Sequence, residues 1–373
     1  MQSFVDADLL PSLVETLTAQ GLTRPTEIQA KTLPLLLAGK PLVGVSETGS
    51  GKTLAFVLPM LHWLKTLELE GSSVSEPGTP RGLVLVPGRE LGEQVGKVFR
   101  GLTHDTRLRV RMALGGSPKR VARKNVAGKF EVLVATPGRL LQLVDSGELK
   151  LGDVRIVVFD EADQMLDPGF LPVALRIADT CPSTVQLVMF SATFPESLQA
   201  VVTALYPVPP EEVRTAGSHH VVPTLMVENW TVIRGRRFDV LRPLLMEHRS
   251  TGTLLFTNTR EQCEGIADWL HGQGIPYVVY RGQMERLERR KNLAMFRSGA
   301  VSVLIATDLG GRGLDIERVE RVINVYLPRE VNNYLHRVGR TARAGRSGTV
   351  INLVTERDAP LMAELQRREA SRE

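Results

Sequence analysis

The sequence predicts an α/β protein of two tandem units, each a mostly parallel sheet with helices on both faces. Three observations carry that prediction. Continuous Val, Ile and Leu runs recur at Leu42–Val45, Gly82–Val86, Val132–Ala135, Ile156–Phe159 and Val185–Phe190. Strands without polar alternation are covered on both faces, as in parallel sheets. Helix-like segments separate the runs, which is the rhythm of a doubly wound layout. The rhythm then returns, with runs at Thr253–Phe256, Tyr277–Tyr280, Val301–Ala306, Arg321–Val325 and Thr349–Val354. Between the halves lies a break in composition, from Tyr206-Pro207-Val208-Pro209-Pro210 to Pro223. It places the boundary near residue 215, giving units 1–214 and 215–373.

In chain order, residues 1–40 read as helical. Leu13, Val14 and Leu17 have helical spacing, and Thr26 with Gln29 fits a capping box. The other reading of Gln29 is adenine recognition, because a side-chain amide pairs with N6 and N7 together. Local sequence favours the cap. Ser46-Glu47-Thr48-Gly49-Ser50-Gly51-Lys52-Thr53 follows, between Leu42–Val45 and the helix-like run Leu54–Leu64. Strand, glycine-bearing turn and helix is the layout whose backbone N–H groups cradle phosphates at a helix N-terminus. Lys52 is expected to reach the outer phosphates and Thr53 to sit on Mg²⁺. The opening position is Ser rather than Gly. An ordinary Gly/Ser turn is the weaker alternative, since Gly-Lys-Thr stands where strand passes into helix.

Ile156–Phe159 runs into Asp160-Glu161-Ala162-Asp163. Acids at the C-terminal end of a buried parallel strand lie where open α/β sheets bind ligands. Asp160 suits Mg²⁺, which takes one or two carboxylates plus phosphates. Glu161 suits orienting or deprotonating an attacking water. Taken alone this would read as a solvated acidic turn; the phosphate loop in the same unit favours the metal site. Ser191-Ala192-Thr193 follows another strand and by itself reads as a turn or cap. In the second half, Arg337, Arg340 and Arg343 recur every third residue beside His336. That unit has no nucleotide loop of its own. The arginines therefore read as fingers for phosphoryl charge on the first unit's ATP, against the alternative of a solvated basic helix.

Length, 373 residues, suits two or three domains. Net charge is +5, and Arg281–Arg346 alone carries 14 Lys or Arg against 7 Asp or Glu, so the basic character is C-terminal. A polyanionic partner fits. Cys181 and Cys263 are far apart and read as small buried fillers in a reducing compartment. No apolar run reaches membrane-spanning length, and the N-terminus lacks the pattern of a secretory signal.

Asp160-Glu161-Ala162-Asp163 and the segments around it resemble the DEAD-box ATP-dependent RNA helicases of superfamily 2, along nearly the whole chain and in the family's order. The resemblance implies two RecA-like domains and an RNA-dependent ATPase that locally unwinds or remodels RNA. Phe4, Pro25-Thr26 and Gln29 are similar to the Q motif, which implies adenine stacking on Phe4 and turns Gln29 toward adenine. Thr48, Gly49, Ser50, Gly51, Lys52 and Thr53 then hold ATP, with Asp315 near the ribose. Thr53 and Asp160 hold Mg²⁺, and Ser191 and Thr193 couple ATP to unwinding. Arg89, Gly115, Gly116, Thr136 and Arg139 are the implied RNA contacts of the first domain. Thr259, Arg260, Gly282, Thr307 and Arg312 are those of the second. Arg340 and Arg343 are the implied fingers, with Arg337 more structural. The chain departs from the family at Glu27, Ser46, Gly88, Gly310-Gly311 and Ala342; Gly88 removes a hydroxyl available to an RNA phosphate.

Such turns suit backbone phosphates rather than base edges, so little sequence specificity is expected. The expected partners are single-stranded or short duplex RNA and ATP, with no membrane. The expected state is a monomer in the cytoplasm, with nucleus and organelle left open, and open to a protein cofactor. An ATP-gated RNA clamp with slow turnover is the alternative from a different class, and a DNA translocase is a third, disfavoured by Gln29 and Asp160–Asp163.

Overall fold

The computed structural model describes residues 1–47, 49–74, 76–166, 170–215, 225–247, 252–281, 284–307, 318–341 and 347–370. Thr48, His219-His220, Gly282, Gly310-Gly311, Arg312, Asp315, Ala342 and Arg343 lie outside them. The chain divides into two compact units, Met1–His220 and Val221–Glu373.

Among the described residues the first unit holds seven strands: β1 Leu42–Val45, β2 Gly82–Leu85, β3 Val110–Ala113, β4 Val132–Ala135, β5 Ile156–Asp160, β6 Gln186–Ser191 and β7 Glu211–Arg214. They pair in the order β3-β4-β2-β5-β6-β1-β7, every pair parallel. The second unit holds β8 Leu225–Thr231, β9 Thr253–Thr257, β10 Tyr277–Tyr280, β11 Val303–Thr307, β12 Arg321–Asn324 and β13 Gly348–Val354. Their order is β10-β11-β9-β12-β13-β8, again all parallel.

Alternation along each strand divides the side chains between two cores. Ile156 and Val158 enter one and Val157 and Phe159 the other; Leu254 and Phe256 oppose Leu255 in the second sheet. Both faces are apolar, which is why these strands read as continuous hydrophobic runs. The structure adds β3, β7 and β8, where the sequence shows no such run. All three are sheet edges with exposed polar positions, Glu211 and Glu212 in β7 for example. Thr215 continues β7, its N–H donating to the Val45 carbonyl at 3.2 Å.

Local signals start the helices that carry site residues. Thr136 caps Pro137–Asp145, with Pro at the first helical position, where its missing N–H removes no bond. Thr259 and Gln262 form a capping box on Arg260–Gly272. Cys181 and Cys263 are buried, which pushes their thiols up to about 12 and about 11. No described helix is long and apolar enough to cross a membrane.

Candidate functional site

The loop after β1 opens on Ser46, which is fully buried. Its N–H donates to the Ser191 carbonyl at 3.0 Å, and its Oγ accepts from Thr215 Oγ1 at 2.8 Å. Gly49 and Gly51 take φ of +88° and +94°, the left-handed region that favours glycine. Gly51 has a second constraint: a Cβ there would lie 2.5 Å from Gln29 Nε2. Lys52 begins the helix Lys52–Leu69 and is only 7% exposed. Its Nζ donates to the carbonyls of Ser46 and Glu47 at 2.6 and 2.8 Å. Burial lowers its pKa, while Asp160, Glu161, Asp163 and Glu47 draw it upward. Ser50 Oγ donates to the Glu47 carbonyl at 2.7 Å, and Thr53 is the second, half-buried residue of the helix.

The acids stand at the end of β5. Asp160 is 2% exposed. Glu161 follows at φ +53°, ψ +50°, a left-handed conformation that costs a non-glycine residue about 1–2 kcal/mol. Its N–H donates to Asp160 Oδ1 at 3.0 Å. Burial first, then the Glu161 charge, push Asp160 up to about 7 against the pull of Lys52. Gln164 Nε2 donates to Glu161 Oε2 at 2.6 Å. Asp163 Oδ2 accepts from the N–H and Oγ1 of Thr193 at 2.8 and 2.7 Å, and Asp163 N–H donates to Ser191 Oγ at 3.2 Å. Hydrogen bonds thus join the phosphate loop to Ser191, and Ser191 and Thr193 to Asp163. Asp160 and Glu161 crowd two buried carboxyls at one strand end, a repulsion a cation would relieve, so Asp160, with the Thr53 hydroxyl, fits Mg²⁺. Among the described residues there is no cluster of three or more His, Cys, Asp or Glu arranged for a metal. A phosphate-borne Mg²⁺ does not require one.

A second cluster forms from three separate segments of the first unit. Arg89 NH1 donates to Ser117 Oγ at 2.7 Å and to the Gly115 carbonyl at 3.4 Å. The Gly115 N–H donates to Thr136 Oγ1 at 3.0 Å. Arg139 NH2 donates to the Ser117 carbonyl. Arg89, Gly115, Thr136 and Arg139 are thereby brought together, with Gly116 exposed beside them at φ +75°. Ser117, which joins Arg89 to Arg139, escaped the sequence reading; its one signal is the Gly115-Gly116-Ser117-Pro118 turn.

Residues 26–201 match the DEAD/DEAH box helicase family and residues 236–345 the helicase conserved C-terminal domain. The chain is 34% identical, over 97% of its length and 68% of the relative's, to the ATP-dependent RNA helicase DBP2 of Debaryomyces hansenii. It belongs to the DEAD-box family of ATP-dependent RNA helicases. It is 35% identical to the ATP-dependent rRNA helicase RRP3 of Coccidioides immitis, over 98% of this chain and 75% of that one. It is similar in structure to S. cerevisiae Dbp5 bound to RNA and ADP BeF3, with a TM-score of 0.86, 29% identity and coverage of 99% and 93%.

Within this helicase, Phe4 is 2% exposed and packs against the hydrophobic core of the first unit. Gln29 is the cap that local sequence favours: its Oε1 accepts from Thr26 N–H at 2.9 Å, and its Nε2 donates to the Gly51 carbonyl at 2.9 Å. An amide oxygen accepts twice and an amide nitrogen donates twice, so this cap still leaves one valence at each end.

In the second unit, Thr259 caps its helix and is exposed; Arg260 and Arg281 both pair with Glu264, at 2.8 and 2.7 Å. Thr307 ends β11 in register with Thr257. The helix Val331–Val338 carries His336 and Arg337. Arg337 is 2% exposed and donates to Asn258 Oδ1 and the Tyr326 carbonyl at 2.6 Å and to Asn324 Oδ1 at 3.2 Å. Asn324 Nδ2 donates to Asn352 Oδ1, and Asn352 Nδ2 donates to Asn229 Oδ1 and to the Tyr334 hydroxyl. A line of amides therefore crosses β12, β13 and β8. Arg340, 4% exposed, donates from Nε to the His336 carbonyl at 3.1 Å.

Proposed function

We propose that this helicase is an RNA-dependent ATPase that binds ATP·Mg²⁺ on its first unit and single-stranded RNA through its backbone, and separates short duplexes locally. One observation carries the assignment of residues. Asp163 holds both Thr193 and Ser191, and the Ser191 carbonyl holds the start of the phosphate loop. A change at the nucleotide can therefore reach the Ser191–Thr193 segment through hydrogen bonds alone.

In this reading Lys52 leaves the carbonyls of Ser46 and Glu47 for phosphate oxygens. Gly49, Ser50 and Gly51 offer backbone N–H groups, and Gln29 uses its remaining valences on adenine. Asp160 and Thr53 hold Mg²⁺, which supplies charge neutralisation at the phosphates. Glu161, fixed by Gln164, orients the attacking water and takes its proton. Arg340 and Arg343 act on the developing phosphoryl charge when ATP and RNA favour the closed state; His336 supports them, and Asp315 approaches the ribose. Arg89, Gly115, Gly116, Thr136 and Arg139 meet RNA phosphates on the first unit. Thr259, Arg260, Gly282, Thr307 and Arg312 do so on the second. The protein acts as a monomer in the cytoplasm, with turnover open to control by a protein cofactor; one structural neighbour is Dbp5 bound to Gle1 and IP6.

The test is steady-state ATPase with and without single-stranded RNA, using Lys52→Ala and Glu161→Gln as controls. RNA stimulation that vanishes in both variants supports the reading. Undiminished turnover in both variants overturns it. Tight RNA retention with an ATP analogue but no stimulated turnover replaces the helicase by a clamp.

A further inference from the structure

The second unit carries a concavity that none of the motif residues explains by itself. It is a basin of about 1130 Å³ at the C-terminal ends of β8, β9, β12 and β13. Four arginines line it: Arg234, Arg237, Arg329 and Arg357. Arg237 is part of the fixed floor, since its Nε donates to the Val325 carbonyl at 2.9 Å and its guanidinium lies 4.4 Å from the Tyr326 ring centre. The other three are exposed. Two acids share the lining, and Asp358 accepts from the N–H and Oγ1 of Thr355 at 2.8 and 2.6 Å. Glu356 remains against three outward-facing cations.

Other arginines of this unit are neutralised on the surface: Arg236 by Asp239, Arg260 and Arg281 by Glu264, and Arg367 by Glu364. Among the described residues no carboxylate pairs with Arg234, Arg329 or Arg357. The basin is also larger than the pockets that usually enclose small molecules. Its lining includes Asn258 and Gln262, which flank Thr259 and Arg260 on the same helix cap. A polyanion touching Thr259 meets the basin next.

We infer that the basin of Arg234, Arg329 and Arg357 is an additional phosphate-binding surface, taking the backbone of an RNA strand that extends past the motif residues. The inference rests on the RNA reading above. It adds affinity that grows with RNA length and carries no base preference, because guanidinium groups on an open surface meet phosphates rather than base edges.

The test compares a short RNA, which spans the motif residues alone, with one extended by several nucleotides. Binding is followed by fluorescence anisotropy over a range of salt, with a non-hydrolysable ATP analogue present. The variants are Arg234→Gln/Arg329→Gln/Arg357→Gln and the single reversal Arg329→Glu. For the triple variant the expected result is unchanged affinity and ATPase with the short RNA. On the extended RNA, affinity falls at least tenfold and the log–log salt slope shrinks by about 2, near 0.7 for each phosphate contact to a single strand. Arg329→Glu shows the same selectivity with a smaller loss. Equal affinities of wild type and triple variant for the extended RNA overturn the basin, as does an equal loss on both RNAs. A wild type that binds the short RNA but gains nothing from the extension overturns the basin alone. A wild type that binds neither overturns the RNA reading and the basin with it.

Discussion

Replacing Asp160 by Asn should stabilise the metal-free, nucleotide-free protein at alkaline pH and leave it nearly unchanged in acid. Asp160 is buried beside Glu161, and its pKa is pushed up to about 7. In the unfolded chain an aspartate titrates near 3.9. Between those values the folded state holds a proton that the unfolded state has lost. Stability therefore falls as pH rises through that window, by about 1.4 kcal/mol per unit and roughly 4 kcal/mol in all. Asn carries no such charge, and its Oδ1 still accepts the Glu161 N–H. The attraction to Lys52 is already contained in that raised pKa and offsets nothing further. The net stabilisation at pH 8 is then about 1–4 kcal/mol, vanishing near pH 4. Urea unfolding in EDTA at pH 4, 6 and 8 measures it. A variant no more stable than wild type at pH 8, or a difference independent of pH, refutes burial of a charged Asp160 as the cause. Mg²⁺ and ATP should reverse the order, because only the wild type gains a carboxylate–cation contact.

Three further outcomes are expected. Arg337→Ala leaves the Asn258, Asn324 and Tyr326 oxygens without their buried donor, and should cost about 3 kcal/mol in urea unfolding. Gly51→Ala faces both a φ of +94° and the 2.5 Å approach to Gln29, so calorimetric titration should show at least tenfold weaker binding of an ATP analogue. Ser46→Ala strands the buried Thr215 hydroxyl and should cost about 1–2 kcal/mol in thermal unfolding. Adding Thr215→Val should recover more than half of that, since no unpaired hydroxyl remains; a purely additive double variant contradicts the coupling.

Strand interiors were legible because both faces of a covered parallel strand are apolar, as in Val132–Ala135. Edges were not: β7 reads Glu-Glu-Val-Arg, and only Val213 is buried. The phosphate loop and the acids were legible because local chemistry fixes their spacing. Ser117, Gln164 and Thr215 were not, because each acts through a bond to another side chain that the sequence does not announce. Phe4 marks another limit: the resemblance names it for the motif, and only the structure shows its packing against the first core.

The line of amides across the second sheet bears on how that sheet is assembled. Runs such as Val-Ile-Asn and Ile-Asn-Leu are repetitive, and apolar parallel strands pair almost equally well in several registers. Asn324, Asn352 and Asn229 stand opposite one another in the native alignment. A slip by one residue turns every side chain to the other face; a slip by two sets Asn324 or Asn229 against Val350 or Val354. Every stranded amide costs about 1–3 kcal/mol, and a domain has only about 5–15 to lose. The three asparagines thus act as index marks on a featureless ruler. The helix Val331–Val338, hooked to the marks through Tyr334 and Arg337, can dock only on a correctly counted sheet.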